Sequence, residues 1–301
     1  MGPVGARGAL EPGHTLLFYN RAVPELPEVE TIARGVDARV RGDRIEQAWF
    51  GSHREPLKTP AVRQARGLEG RTFLAVHRTG KHIVCELGPK GADAAAQPPE
   101  AQWVVHLGMT GRLLVTRPDA PAEPHTHARL LLGSGRELRF VDPRRFGRLE
   151  FRDLARTAAF QAPGAEPLSI SQEEFAALFR GRRLPIKAAL LNQSLLAGVG
   201  NIYADESLFR AGIRPRRHAG RLTRAELERL RDGLRRVLQQ AIRLGGSSVS
   251  DYVDADGERG FFQLEHCVYL RTGQPCRTCG TPIRRILLAG RGTHYCPHCQ
   301  H

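Results

Sequence analysis

The stretch PELPEVETIARGV, residues 24–36, marks the start of the fold. Apolar residues recur at helical spacing from Val29 to Val36. Pro27 suits the first turn of a helix, where a backbone N–H has no partner to lose. Residues 1–23, which precede this stretch, are rich in glycine and proline and show no periodicity. We therefore expect a helix over residues 26–36 and a disordered or mis-annotated extension at residues 1–23.

The composition is that of a soluble protein with an anionic partner. The chain has 301 residues, of which 41% are hydrophobic and 25% are charged, and this length suggests about two domains. Its net charge of +14 favours a nucleic-acid partner, although a basic solvated surface would also explain the charge. No apolar run approaches the ~20 residues of a membrane helix, and no export signal is evident. We expect a cytoplasmic protein without a membrane partner.

The chain divides into a strand-rich half and a helix-rich half. Short β-rich runs separated by glycine, proline or charge fill residues 44–151, which favours a β-sandwich or barrel. Two capping boxes, SQEE at 171–174 and TRAE at 223–226, each open a helix. Residues 184–196 also have a helical pattern, which the glycines of AGVGN interrupt. The pattern indicates an α+β fold.

Four cysteines near the end have the spacing of a zinc site. Cys276 and Cys279 form one pair, Cys296 and Cys299 form another, and sixteen residues separate the pairs. Four thiolates bind Zn²⁺ tetrahedrally, and the residues between the pairs read as the two strands of a hairpin. We predict one structural Zn²⁺; the alternative is a pair of redox dithiols.

PELPEVET, HLGMTGRL, DPRRFG, GVGNIYADE and the four-cysteine tail occur in this order. Together they resemble the bacterial formamidopyrimidine-DNA glycosylase family, also known as 8-oxoguanine DNA glycosylase/AP lyase, and the resemblance covers residues 24–301. The fold class that it implies is α+β, with an N-terminal β-sandwich flanked by helices, an all-α helix-two-turn-helix domain and a C-terminal zinc-finger β-hairpin. The expected parts are a catalytic domain at 24–151, a linker at 152–168, a helix-two-turn-helix domain at 169–265 with a lesion loop at 247–263, and a zinc finger at 266–301.

The resemblance implies a bifunctional DNA-repair enzyme. Such an enzyme excises oxidised purines, including 8-oxoguanine and formamidopyrimidines, and then cuts the strand by β,δ-elimination through a Schiff base. By position, Pro24 is the nucleophile, Glu25 the acid and base, and Lys81 and Arg291 contact phosphate and assist elimination. The expected partner is double-stranded DNA that contains oxidised bases or abasic sites, and the expected state is a monomer.

Further residues match positions at which the family handles DNA. Met109, Arg144 and Phe146 correspond to the three residues that fill the gap left by a flipped base. Gly198 and Gly200 in GVGN are expected to let the backbone approach phosphate closely. The remaining predicted DNA contacts are His125, Arg182, Lys187 and Asn201.

The nucleophile is blocked in the chain as written. The Pro24 nitrogen is bonded to Val23, and an amide nitrogen has no lone pair available for attack. Valine stands where the family has its initiator methionine, and a GTG codon can start translation, so our hypothesis is a start at Val23. The rivals are proteolysis after Val23 and an inactive extended form.

Two other functions remain open from the sequence. If Pro24 is not freed, the chain is a non-catalytic DNA-binding zinc protein. The other candidate is an endonuclease VIII-like glycosylase for oxidised pyrimidines, although Leu26 fits the formamidopyrimidine branch instead.

Overall fold

The computed structural model describes residues 23–91, 97–248 and 253–301. The predicted extension at 1–23 lies outside these ranges except for Val23, and so do residues 249–252 of the predicted lesion loop. None of the helices in the described ranges is both long and apolar enough to cross a bilayer.

The first helix, α1 (Leu26–Val40), begins where the sequence predicts. Its first residue, Leu26, is buried in the core of the helical part, whereas Val29 is buried in the core of the strand-rich part. The first turn of α1 therefore lies where the two cores meet, and the predicted nucleophile, Pro24, lies two residues before this helix.

Eight strands within the described ranges form two antiparallel four-stranded sheets that enclose one apolar core. The strands are β1 (Ile45–Phe50), β2 (Arg71–Thr79), β3 (His82–Lys90), β4 (Ala101–His106), β5 (Arg112–Thr116), β6 (Thr126–Leu132), β7 (Glu137–Val141) and β8 (Arg148–Asp153). One sheet has the order β1-β6-β7-β5 and the other has the order β2-β3-β4-β8. The prediction of a β-sandwich is confirmed.

Two elements of this part escaped the sequence analysis, namely β1 and the helix α2 (Ala61–Leu68). Strand β1 lies at the edge of its sheet and buries only Ile45 fully, so its sequence IEQAWF lacks a continuous apolar run. Helix α2 is only eight residues long and buries only Gln64 and Leu68. Elements with so few buried side chains leave little pattern in the sequence.

Four helices make up the next part of the chain. They are α3 (Gln172–Phe179), α4 (Ile186–Leu191), α5 (Asn201–Ala211) and α6 (Arg224–Arg243). Both predicted capping boxes are present, because Ser171 accepts from the Glu174 N–H and Thr223 accepts from the Glu226 N–H.

The helix predicted over 184–196 is too long, since α4 ends at Leu191. The Asn192 side chain accepts from the Ser194 N–H at 2.9 Å, and the Gln193 amide donates to the Val199 carbonyl at 2.7 Å. These side chains compete for backbone groups and hold a turn in place of further helix. The turn brings the GVGN segment back toward α1.

The chain ends in a hairpin of β9 (Arg284–Leu288) and β10 (Arg291–Tyr295), as predicted from the cysteine spacing. Strand β10 packs against α5. The hairpin therefore extends from the helical part toward the junction with the sandwich.

Candidate active site

A cavity of ≈ 380 Å³ lies where the sandwich, the helices and the hairpin meet. It brings together five of the predicted site residues, although they are far apart in sequence. These residues are Glu25, Lys81, Met109, Asn201 and Arg291. The groups that would act with the predicted nucleophile therefore share one location.

Glu25 is buried at the N-terminus of α5. Its Oε1 accepts from the Ile202 N–H at 3.1 Å, and its Oε2 lies 3.5 Å from the Tyr203 nitrogen. Burial raises the pKa of Glu25 to about 7, although the Lys81 charge and these backbone donors lower it in part. A carboxyl with such a pKa is present in both protonation states near neutral pH, which suits a group that gives and takes protons.

Lys81 lies in the tight turn between β2 and β3, in the wall of the same cavity. Burial lowers the pKa of this lysine, and the charges of Glu25 and Glu28 oppose that shift. Among the described residues, no hydrogen bond or ion pair of its ammonium group is found. Its three donors therefore remain available to a ligand in the cavity.

Pro24 is buried directly before Glu25, and Val23 lines the cavity beside it. The Leu26 N–H donates to the Gly198 carbonyl at 3.0 Å, which fixes the backbone next to Pro24 against the GVGN segment. Gly198 has a φ of +86°, where a side chain is strained, and a Cβ there would lie 2.9 Å from the Leu26 Cβ. This glycine therefore serves the packing of the N-terminal turn.

Glu28 is a functional candidate that the sequence analysis missed. It is buried, and it accepts hydrogen bonds from the Glu25 N–H at 2.9 Å, the Ser247 N–H at 2.8 Å and the Tyr203 hydroxyl. It thus ties the backbone of Glu25 to α5 and to the start of the predicted lesion loop. The signal was the second glutamate of PELPEVE, three residues after the first.

Asn201 and Arg291 bring the other two parts of the protein to the cavity. Asn201 is the first residue of α5, and its amide donates to the Gly292 carbonyl at 3.1 Å. Arg291 begins β10 and is exposed. The cationic side chain of Arg291 and the amide of Asn201 therefore lie at the cavity, and both are groups suited to contact phosphate.

Lys187, which the sequence predicts to contact DNA, does not line the cavity. Its side chain is 1% exposed, and its ammonium group lies 2.7 Å from the Asp205 carboxylate. It also donates to the Gly292 carbonyl at 3.0 Å and to the Thr293 hydroxyl at 2.9 Å. These three partners use its three donors inside the protein, so a direct contact with phosphate requires rearrangement.

The three predicted gap-filling residues lie on two loops, and hydrogen bonds to a single aspartate connect these loops. The buried Asp142 accepts from the Thr110 hydroxyl, next to Met109, and from the backbone N–H of Arg144 at 3.2 Å. The Arg144 guanidinium carbon lies 4.6 Å from the centre of the Phe146 ring, and Phe146 is 48% exposed. Asp142, the first residue of DPRRFG, is therefore a positioning residue that the sequence analysis did not identify.

The other two predicted DNA contacts lie outside the cavity on exposed surface. His125 has a φ of +67°, and its carbonyl accepts from the Asp142 N–H at 3.0 Å. Arg182 lies between α3 and α4. No contact in the described structure assigns either side chain a partner in the cavity.

The four cysteines form a compact cluster at the base of the hairpin. All four sulfur atoms lie within 4.8 Å of one another, and two of the separations are 3.5 and 3.9 Å. Tetrahedral Zn²⁺ with Zn–S bonds of about 2.3 Å places its sulfur ligands about 3.8 Å apart. The cluster therefore fits one structural zinc, held by Cys276, Cys279, Cys296 and Cys299.

Three family models match the chain, one for each part of this architecture. The formamidopyrimidine-DNA glycosylase N-terminal domain matches residues 23–149, and the H2TH domain of the same family matches residues 163–253. A zinc finger found in FPG and IleRS matches residues 273–301. The chain belongs to the formamidopyrimidine-DNA glycosylase family. The sequence resemblance is thereby confirmed.

Relatives that carry the family name match along almost their whole length. The formamidopyrimidine-DNA glycosylase of Solibacter usitatus is 45% identical over 280 residues, which span 92% of this chain and 99% of the relative. That of Gluconobacter oxydans is 44% identical over 293 residues, which span 92% of this chain and 100% of the relative.

Solved structures of formamidopyrimidine-DNA glycosylases have the same fold. A complex of the Lactococcus lactis protein with abasic-site DNA has a TM-score of 0.81 at 34% identity and covers 92% of this chain and 99% of that one. The MutM protein of Thermus thermophilus has a TM-score of 0.76 at 42% identity and covers 92% of this chain and 98% of that one. A mutant of the Lactococcus lactis protein in complex with Fapy-dG DNA has a TM-score of 0.81 at 33% identity and covers 92% of this chain and 100% of that one.

Proposed function

We propose that this member of the family excises oxidised purines from duplex DNA in base excision repair and then cuts the abasic strand. The observation that carries the proposal is the position of Glu25. This carboxyl, with a pKa of about 7, lies directly after Pro24 in a cavity that also holds Lys81 and Arg291. Perturbed pKa values in a cleft favour a catalytic assignment, and the family membership supports the same one.

The chemistry starts from a free amine at Pro24. Its lone pair forms a bond to C1′ of the damaged nucleotide, and the electrons of the glycosidic bond leave with the base, which gains a proton. The sugar ring then opens to give an iminium ion on the proline nitrogen. Loss of a proton from C2′ expels the 3′ phosphate, a second elimination expels the 5′ phosphate, and hydrolysis frees the proline.

Glu25 and Lys81 are suited to the proton transfers in these steps. Glu25 can protonate the sugar as its ring opens, because a useful fraction of the carboxyl is protonated near pH 7. Lys81 has the lowered pKa that desolvation produces, which increases the neutral fraction able to accept a proton. Both groups line the cavity that Pro24 adjoins.

DNA binding follows from the same surface. Arg291, Asn201 and Lys81 can contact the phosphates around the damaged nucleotide, while Met109, Arg144 and Phe146 fill the gap that it leaves. Because phosphate contacts release counterions, we expect the affinity for DNA to fall steeply with salt. A monomer in the cytoplasm remains our prediction for the state of the protein.

Excision on paired substrates tests this function. The chain that starts at Pro24 should release 8-oxoguanine from duplex DNA faster than it releases an oxidised pyrimidine in the same sequence context. The Pro24→Gly variant should still bind the damaged duplex but lose most of the excision. A faster reaction on the pyrimidine would favour the endonuclease VIII-like alternative, and a fully active Pro24→Gly variant would contradict the nucleophile assignment.

The full chain is the matched control, because its Pro24 nitrogen is an amide. We expect it to bind DNA without excision. If the protein from its native cells retains residues before Pro24, the non-catalytic DNA-binding function becomes the better assignment for that form.

A further inference from the structure

Gly200 has a backbone conformation that any residue can adopt. Its φ of −128° and ψ of −162° lie in the extended region, in contrast to Gly198 at a φ of +86°. Conformational freedom therefore does not require a glycine at position 200. The reason lies in the space around its Cα atom.

The carboxyl of Glu25 fills the place that a side chain at position 200 would occupy. A Cβ built on Gly200 would lie 2.1 Å from the Glu25 Cδ, 2.4 Å from its Oε1 and 2.6 Å from its Cγ. Carbon atoms in contact prefer separations of about 3.5–4.0 Å, so the carboxyl would have to move by more than about 1 Å. The three nearest atoms all belong to the Glu25 side chain and none to the backbone.

We propose that Gly200 is a positioning residue for Glu25, because its missing side chain leaves the space in which the carboxyl reaches the first N–H groups of α5. The inference rests on the proposed role of Glu25 in excision. It differs from the expectation that Gly200 allows the backbone to approach phosphate, since the atoms that occupy the space belong to Glu25.

The substitution Gly200→Ala separates chemistry from folding and from binding. The Glu25 side chain must move away from the new Cβ, and it then leaves the Ile202 N–H, to which it is hydrogen-bonded at 3.1 Å. A displacement of about 1 Å in a catalytic group can slow a reaction by about 100-fold. The exchange of an extended glycine for alanine adds no backbone strain.

The experiment uses the chain that starts at Pro24, which corresponds to the full length of the relatives. We would measure the single-turnover rate of 8-oxoguanine excision, the Kd for a duplex with a stable abasic-site analogue, and the Tm. Gly233→Ala is the matched control, because Gly233 is buried in α6 and a Cβ there meets its nearest atom at an ordinary 3.4 Å.

We expect Gly200→Ala to excise about 100-fold more slowly, with a Kd close to that of the parent chain. Gly233→Ala should match the parent chain in rate and in Kd. In a Glu25→Ala background, Gly200→Ala should slow the reaction no further, because the group through which it acts is gone. A parental excision rate in Gly200→Ala would overturn the inference, as would a weakened Kd with a parental rate at saturation.

Stability provides a second test that does not need activity. If Gly200→Ala lowers the Tm or prevents folding, the added Glu25→Ala should restore it, since the alanine Cβ then enters space that the carboxyl has left. A double variant that stays as unstable as Gly200→Ala would contradict the inference. A parent chain that excises no base would instead contradict the proposed function and would leave this contact testable by Tm.

Discussion

Glu25 with Lys81, called the open pair, and Asp205 with Lys187, called the closed pair, each bring a carboxyl group near a lysine, but their surroundings differ. Lys187 and Asp205 touch at 2.7 Å, and backbone and hydroxyl partners use the remaining donors of the lysine. Glu25 and Lys81 instead line a cavity, and Lys81 has no hydrogen bond or ion pair among the described residues. The two pairs therefore differ in what is left to bind a ligand: partners inside the protein use the donors of Lys187, whereas Lys81 lines the cavity without such a partner among the described residues.

The second pair has a structural consequence. Asp205 on α5 also accepts from the His294 N–H at 2.8 Å, and Lys187 on α4 donates to the Gly292 carbonyl. The two helices therefore hold both ends of the segment 292–294. That segment directly follows Arg291. The closed pair thus fixes the hairpin that brings Arg291, the predicted phosphate contact, to the open pair.

Loss of zinc should have the largest effect on this arrangement. Structural zinc in small fingers stabilises the fold by about 10–16 kcal/mol, and Cys279→Ser removes one of its four ligands. We expect this variant to lose both zinc and DNA affinity, as measured by metal analysis and by the Kd for damaged duplex. Cys267→Ser, which alters a thiol outside the cluster, is the control. A metal-free Cys279→Ser protein with intact affinity would contradict the role of the hairpin.

Glu25→Gln should affect chemistry far more than stability. Removal of a general acid or base typically slows a reaction by about 10²–10⁴-fold. We expect a loss of this size in single-turnover excision by the chain that starts at Pro24, with binding of the damaged duplex retained. If excision proceeds at the parental rate, the open pair has no catalytic role and the comparison with Asp205 loses its meaning.

Asp205→Ala should instead lower the stability of the fold. It leaves the Lys187 charge buried without its partner, which typically destabilises a protein by about 3–5 kcal/mol. Denaturant unfolding would measure this change. The matched control is Glu173→Ala, because Glu173 pairs with Arg224 on the exposed surface, where a pair contributes about 0–1 kcal/mol. Equal stability of the two variants would refute the structural role of the closed pair.

The smallest expected effect is a dependence of stability on pH. Burial raises the pKa of Glu25 in the folded chain from 4.5 to about 7, so its contribution to stability is full below pH 4.5 and is lost as the pH rises to 7. The loss is at most about 3 kcal/mol. Glu25→Gln should therefore gain stability relative to the parent chain over this range. A constant difference between the two proteins from pH 4.5 to 7 would argue against the raised pKa.

The sequence predicts best those features that short-range patterns determine. The start of α1, both capping boxes, seven strands of the sandwich and the zinc ligands each follow from residues close together in the chain, and all are confirmed. The helix predicted at 184–196 was too long because Asn192 and Gln193 bind backbone groups that only the folded turn brings near. The edge strand β1 was missed because few of its side chains are buried.

In the candidate site, too, the contacts that could not be predicted join residues far apart in the sequence. Family resemblance placed Glu25, Lys81 and Arg291, and the structure brings them to one cavity. The resemblance could not show that Lys187 forms an ion pair with Asp205, because that contact joins residues on two helices to a distant hairpin. Nor could it show that Gly200 makes room for Glu25, since the two residues meet only across the junction between the parts.

The central claim is that the Pro24 nitrogen attacks the damaged nucleotide. The most direct test is to add borohydride during the reaction of 8-oxoguanine duplex with the chain that starts at Pro24, and to map the trapped peptide by mass spectrometry. We expect a covalent DNA adduct on Pro24, and none with the full chain. An adduct on a lysine such as Lys81, or an equal yield from the full chain, would contradict it.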